Sequence, residues 1–432
     1  MKVFNKTKLA LAALSLCVSA FVQAENIAIV GGTVHTMSDD GTIENATVLL
    51  EDGEIKSVRQ DGRVPSGYRQ IDASGKVVTP GIIAAFTSLG LVEVEYSAGI
   101  ADNTTKLDDD SLGTIPDVQY AVNPDSSLMN ITRIDGVTSA VSGLAYFDTI
   151  FGGQGAVITL GDKVNPIMKS NAVMTLDITG GVAEENGGSR AALWPKVMKV
   201  FAEAAMTKGR KIKVGDDWDG DFDKNDINAL VPVINGEMPL LVSVHRLIDI
   251  RHLIKLKQQY SKVNMILLQA TEAWRVAEEL ANHDIGVVFN PQINLPYDFG
   301  QLGATLSAAA RLDAAGVKVA FGATSGVNTH NPRLAPQQAG NAVAHGLPWE
   351  KGLAAITINV AEMFGVDDRI GSLEKGKQAD VVVWSGDPLE VMSQAEHVII
   401  KGEEIPLTSR QTKLRDRYLN MQSDKPYRYI KP

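Results

Sequence analysis

Apolar and polar positions along the chain follow two regimes. Near both ends they alternate with a period of two, in NIAIVGGTVHTM (26–37), ATVLLEDGEIKSVRQ (46–60), ADVVVWSGDP (379–388) and HVIIKGEEIP (397–406). Enrichment in β-branched residues predicts strands there, and Glu51-Asp52-Gly53 and Lys401-Gly402 predict hairpin turns. Between the ends, short apolar runs alternate with helical patterns such as EAWRVAEELANH (272–283) and SAAARLDAAG (307–316). The runs are Ile82–Phe86, Val137–Val141, Ala156–Leu160, Val173–Ile178, Leu240–His245, Asn264–Gln269, Gly286–Asn290 and Val317–Gly322. About eight strands separated by helices predict an α/β fold, a (β/α)8 TIM barrel. A doubly wound sheet is the alternative. The two β-rich ends predict one small composite β-sandwich domain built from both termini.

The expected organisation is a signal peptide over 1–24, β-sandwich domain over 25–80, barrel over 81–365, the second part of the sandwich over 366–408 and a charged, aromatic tail over 409–432. In the first segment Lys2, Lys6 and Lys8 precede an apolar run from Leu9 to Val22, and Val22-Gln23-Ala24 offers a cleavage site. The run is shorter than the ~20 residues of a membrane span, so the chain is expected to be secreted across the inner membrane, as a periplasmic protein. Cleavage there removes Cys17, the single cysteine. That excludes a cysteine nucleophile and thiolate metal ligands. Loss of the three leader lysines takes the formal charge of −10 to −13, which argues against nucleic acid as a partner. No later segment is long and apolar enough to span a bilayer. The polar stretch 99–127 reads as a long loop over the barrel mouth.

Four stretches resemble the amidohydrolase superfamily, in particular its secreted imidazolonepropionase-like branch. They are GGTVHTM with the following ATVLLEDGEIKSV, IDASGKVVTPGIIAAF (71–86), GVKVAFGATSGVNTHNPRLAPQQAGNAVAHGLP (316–348) and GLAAITINVAEMFGVDDRIGSLEKGKQADVVVWSGDPLE (352–390). The likeness covers nearly all of 26–408. It implies a barrel whose C-terminal face carries zinc or another divalent metal, used to hydrolyse C–N bonds in cyclic amides or small peptides. The last stretch also holds Gly371–Gln378, which nearly matches a phosphate-binding loop. Gln378 replaces the hydroxyl that would hold magnesium, and a strand follows where a helix is needed.

The positions that the resemblance would give to metal ligands carry other chemistry. The first-strand Asp-x-His-x-His corresponds to Ala84, Phe86 and Ser88. An ungapped match through Arg246, Asp249, Ile250 and Arg251 puts Ser243 at the fifth-strand histidine. His245, two residues on and on the same strand face, takes that place if the register shifts. Gln269 and Thr271 stand near the missing sixth-strand histidine, and Thr324 stands at the eighth-strand aspartate, which is also the family's proton shuttle. The degenerate metal positions are therefore Phe86, Ser88, Ser243 and Thr324, with no metal expected. The mature chain has seven histidines, and none forms His-x-His, H-x-x-x-H or H-E-x-x-H.

His245 and His330 are the catalytic candidates, and Gln269, Thr271 and Asn290 are possible contacts at the mouth. A Ser–His pair drawn from Ser88, Ser243 and His245 can in principle make a nucleophile; hydroxyls left where ligands were lost are the simpler account. The expected function is a ligand-binding or partner protein without the family metal and without cofactor, taking a small molecule, a second copy of itself or a catalytically complete relative. The alternative is an active imidazolonepropionase-like hydrolase with a rewired site. Phe86 itself is expected to be buried among strand-end side chains.

Overall fold

In a computed structural model the protein is described over residues 25–93, 101–108, 111–161, 163–322 and 331–419. The leader segment, Thr324 and His330 lie outside the described residues, as does the tail beyond 419.

The N-terminal strands are β1 (Ile27–His35), β2 (Thr42–Glu51), β3 (Glu54–Gln60), β4 (Arg69–Asp72) and β5 (Val77–Pro80). The barrel takes β6 (Ile82–Thr87), β7 (Val137–Ser142), β8 (Phe151–Thr159), β9 (Ile167–Asp177), β10 (Leu240–Val244), β11 (Met265–Gln269), β12 (Gly286–Phe289) and β13 (Val319–Phe321). β14 (Val381–Trp384), β15 (Ala395–Ile400) and β16 (Glu403–Glu404) follow. The two ends of the chain do meet in one sheet, ordered β16-β15-β14-β5-β1-β2-β3, with β4 on β1. Antiparallel pairing of β14 with β5, Val381 opposite Pro80 and Trp384 opposite Val77, joins the halves. Ile29, Val48, Ile71, Val381 and Ile399 form part of its own apolar cluster. The β domain is thus a single hydrogen-bonded sheet around its own core.

The second sheet runs β6 to β13 in sequence order and is nearly closed, a TIM barrel beside a separate β sheet. The gap between β13 and β6 is bridged by backbone. Phe321 N–H donates to Ala355 O (3.0 Å), and Ile83 N–H donates to Ile356 O (2.9 Å). One detail departs from the expected alternation. β8 is antiparallel to both β7 and β9, and among the described residues no helix separates these three strands. The connections, 143–150 and 160–166, are too short for the dozen or more residues that a parallel crossover requires.

Side-chain alternation sorts the barrel into two layers. Ile83, Ala85, Leu241, Ile266, Val288 and Ala320 share the interior cluster, which continues into the helix Ile358–Phe364. Ile82, Ala84, Val242, Leu267, Val287 and Val319 pack outward on the helices. Both faces are buried, which explains why the strands read as continuous apolar runs without alternation. The described residues of the stretch 99–127 make backbone bonds to the strand ends: Asp102 N–H donates to Leu91 O (2.9 Å), Phe151 N–H to Leu112 O (2.9 Å) and Gln154 N–H to Pro116 O (2.7 Å). Buried Asp226 holds Thr114 through the threonine hydroxyl (2.6 Å).

Candidate functional site

The strand parity places side chains at the C-terminal mouth. Leu241 points inward, so Ser243 and His245 fall on the same inner face. The inward position of Val288 likewise puts Asn290 at the mouth. These strand ends open on a cavity of about 250 Å³ lined by His245, Gln269, Thr271, Asn290 and Gln301, with Phe289, Ala308 and Leu312 among its apolar walls. Four of the residues singled out in the sequence therefore share one cavity. Gln301, on the loop after β12, had no sequence signal.

His245 is held on both ring nitrogens. Gln301 Nε2 donates to its Nε2 (3.3 Å), so Nδ1 carries the proton and donates to Thr271 Oγ1 (2.8 Å). Burial pushes the imidazole below the ordinary histidine value, and Arg190 adds to the effect, while Asp298 and the hydrogen bond with Gln269 oppose it. The ring is thereby kept neutral near pH 7.

The backbone that presents this edge is strained. Gln269 has φ 68° and Ala270 φ 38°, both in the left-handed region, where a non-glycine residue is held at a cost. Ala270 N–H reaches back to Val244 O (2.8 Å), and Glu272 N–H to His245 O (3.0 Å). Glu272 Oε2 also accepts Leu247 N–H (2.8 Å), capping the helix Leu247–Gln259. The loops after β10 and β11 are thus tied together, which fixes His245 against Gln269 and Thr271.

A carboxylate missed in the sequence stands on the neighbouring strand. Asp177 ends β9, pairs in register with Ser243 and is half-buried. Burial raises its pKa, against the Thr179 N–H bond and Arg190. Its isolation after an apolar run gave no motif to find. Beneath the rim, Asp249 is 2% exposed. It accepts a forked pair from Arg246 (2.6 and 3.0 Å), a bond from Trp194 Nε1 (3.1 Å) and an ion pair from Arg190 (3.3 Å).

Phe86 is 5% exposed and belongs to the interior cluster. Its backbone passes so close to Gly322 that a Cβ on that glycine would lie 3.3 Å from Phe86 N. Ser88 is fully buried, and Ser243 half-buried. Glu93, just past the first strand, accepts Ser127 N–H (2.8 Å) at a helix start. His252 packs edge-on against Trp194, and His35 and His397 lie in the β domain.

A divalent metal needs several imidazoles or carboxylates converging on one point. Among the described residues no three His, Cys, Asp or Glu side chains do so. The first-strand positions hold a phenyl ring and a hydroxyl, and the His245 imidazole is engaged by Thr271 and Gln301. Among the described residues this donor set does not fit the family metal.

Comparison with known proteins gives the same architecture. A model described as the Amidohydrolase family matches residues 260–406. A 5-methylthioadenosine/S-adenosylhomocysteine deaminase of Desulforudis audaxviator is 34% identical over 113 residues, 24% of this chain and 25% of that protein. A dihydroorotase of Geobacter metallireducens is 38% identical over 79 residues, 18% of each chain. The chain thus spans a quarter or less of these curated relatives. An amidohydrolase from Thermotoga maritima superposes with a TM-score of 0.76 at 25% identity, over 88% of this chain and 99% of that one.

Proposed function

We propose that this chain, an amidohydrolase-superfamily protein in its fold and in the sequence of its closing third, binds a small organic ligand at the strand-end cavity without the family's metal. It acts there as a binding or partner protein of the imidazolonepropionase-like kind, exported by the leader over 1–24, in company with a second copy or a complete relative. One observation carries the reading: the Phe86 ring is buried in the barrel interior, at the position where the resemblance expects an imidazole ligand. A phenyl ring has no lone pair for a cation, and its burial contributes roughly 1.5–3 kcal/mol to the fold. The place is adapted to packing.

Elemental analysis of the purified chain tests this. Substoichiometric metal, unchanged after zinc incubation and desalting, is the expected result. One tightly held zinc per chain overturns it. Fractionation of cells expressing the tagged full-length chain tests export, with the mature form expected outside the inner membrane.

A second reading, metal-independent hydrolysis of a C–N bond, draws on the neutral His245 bonded to the Thr271 hydroxyl, with Asp177 opposite Ser243 on the neighbouring strand. A neutral imidazole can serve as a general base. That reading requires turnover of cyclic amides or dipeptides that His245→Ala abolishes.

A further inference from the structure

The polar groups on the cavity wall are all uncharged near pH 7. Gln269, Asn290 and Gln301 are carboxamides, Thr271, Tyr297 and Thr305 carry hydroxyls, and His245 carries one donor and one acceptor nitrogen. Among the described residues no carboxylate, ammonium or guanidinium lines the cavity. The charges that act on His245, Asp298 and Arg190, lie outside its walls and push the imidazole in opposite directions.

The carboxamides are also aimed by their own bonds. Asn290 Oδ1 accepts Gln292 N–H (3.0 Å), which leaves its NH2 as the donor. Gln301 accepts Tyr297 N–H (3.3 Å) on oxygen and offers nitrogen to His245. The rest of the lining includes the apolar side chains Phe289, Ala308 and Leu312.

From these walls we infer that the cavity selects an uncharged ligand with a donor–acceptor edge, such as a carboxamide, and an apolar body. It rejects carboxylates and amidinium or ammonium ions of the same shape. An ionised group loses its hydration on entering and finds no opposite charge, whereas an amide edge exchanges its water bonds for equivalent ones. The inference rests on the preceding reading that the cavity binds a ligand without metal. It adds the ligand's charge, which separates this site from one built for amino acids or dipeptides.

Three near-isosteres test it by calorimetry on the full mature chain: benzamide, benzoate and benzamidinium. Benzamide is expected to bind, with both ions weaker by roughly tenfold or more. An ion binding as tightly as benzamide, or no binding of any of the three, overturns the inference. Two variants place a carboxylate on the wall while keeping the local bonds. Asn290→Asp retains the oxygen that accepts Gln292 N–H. Thr305→Asp retains an acceptor for Ser307 N–H at the helix start. Both should shift preference toward benzamidinium, with melting temperature confirming folding. An unchanged order in both folded variants means the probes bind elsewhere and overturns the inference. Failure of the metal-free reading looks different: benzamide binding would then require zinc and vanish on chelation, whatever the order of the three probes.

Discussion

The ring of Phe86 fills the space in which Gly143 would carry a side chain: a Cβ on Gly143 would lie 2.5 Å from Phe86 Cε2. Two strand ends are therefore fitted to each other, a phenyl on β6 and a missing side chain just beyond β7. Gly143→Ala should overpack this contact and cost roughly 1–3 kcal/mol, and Phe86→Ala should cost about 3–5 kcal/mol. Chemical denaturation of both variants measures this. If either is neutral, the contact does not hold the mouth together.

Restoring imidazoles follows the same logic. The double variant Phe86→His, Ser88→His should melt lower than wild type and still fail to take up zinc tightly. Phe86 and Ser88 are both buried, and Gln269 still stands near the sixth-strand position. A thermal melt with and without zinc decides the point; strong zinc stabilisation would mean that enough ligands remain.

Thr271→Val removes the hydroxyl that accepts His245 Nδ1–H and leaves a partly buried donor unpaired. The expected loss is about 1–3 kcal/mol, larger than for a typical surface change. Imidazole NMR should show a change in ring tautomer or orientation, whereas a purely structural methyl–hydroxyl exchange would leave the His245 signals in place.

Acid should destabilise the fold through His245. Its folded pKa is depressed, chiefly by burial, so above about pH 6.5 both folded and unfolded states hold it neutral. As pH falls below that value the unfolded chain takes the proton first. Stability is then lost until pH reaches the lower folded pKa. His35 is displaced in the same direction, mainly by its own burial. Asp177 and Asp380, both raised by burial, act with the opposite sign: their contribution is full below the unfolded carboxyl value and is lost as pH rises through the folded one. Comparing wild type with His245→Gln removes these shared contributions. Between pH 7 and 5 the wild-type melting temperature should fall further than the variant's, and parallel curves would show that His245 is not the group responsible.

Asp249→Asn should loosen the rim without unfolding the barrel. Asp249 is buried, but Arg246 and Arg190 are partly exposed, with side chains at 36% and 25%. Hydrogen bonds to charged groups contribute roughly 1.5–3 kcal/mol, and solvent screening at the arginines lowers that figure. Denaturant melts should show a loss near the lower end, accompanied by faster proteolysis after Arg246 or Arg190.

The barrel was readable because each strand is buried on both faces. Each of the eight apolar runs, from Ile82–Phe86 to Val317–Gly322, overlaps an observed strand. The direction of β8 was not readable from its apolar content, since orientation depends on the connections; the short segment from Gly143 to Ile150 was the available clue. At the mouth, strand parity is enough to place His245 and Asn290 on the inner face. The left-handed turn at Gln269 and Ala270 leaves no trace in residue type, because neither is glycine. Asp177 and Gln301 lack spacing partners, and their proximity to Ser243 and His245 comes only from pairing between strands and from a returning loop. Thr324 and His330 lie outside the described residues.

The sheet shared by the two ends of the chain sets a schedule for its own completion. β5 is finished by Pro80, and its partner β14 begins at Val381, some three hundred residues later. At the ~5–20 residues per second of ribosomal synthesis, the edge of β5 waits roughly fifteen to sixty seconds for its neighbour. During that interval Val77, Val78 and Thr79 present unpaired backbone. Premature release of the chain anywhere before β14 would leave that edge permanently open, a template for pairing with other chains.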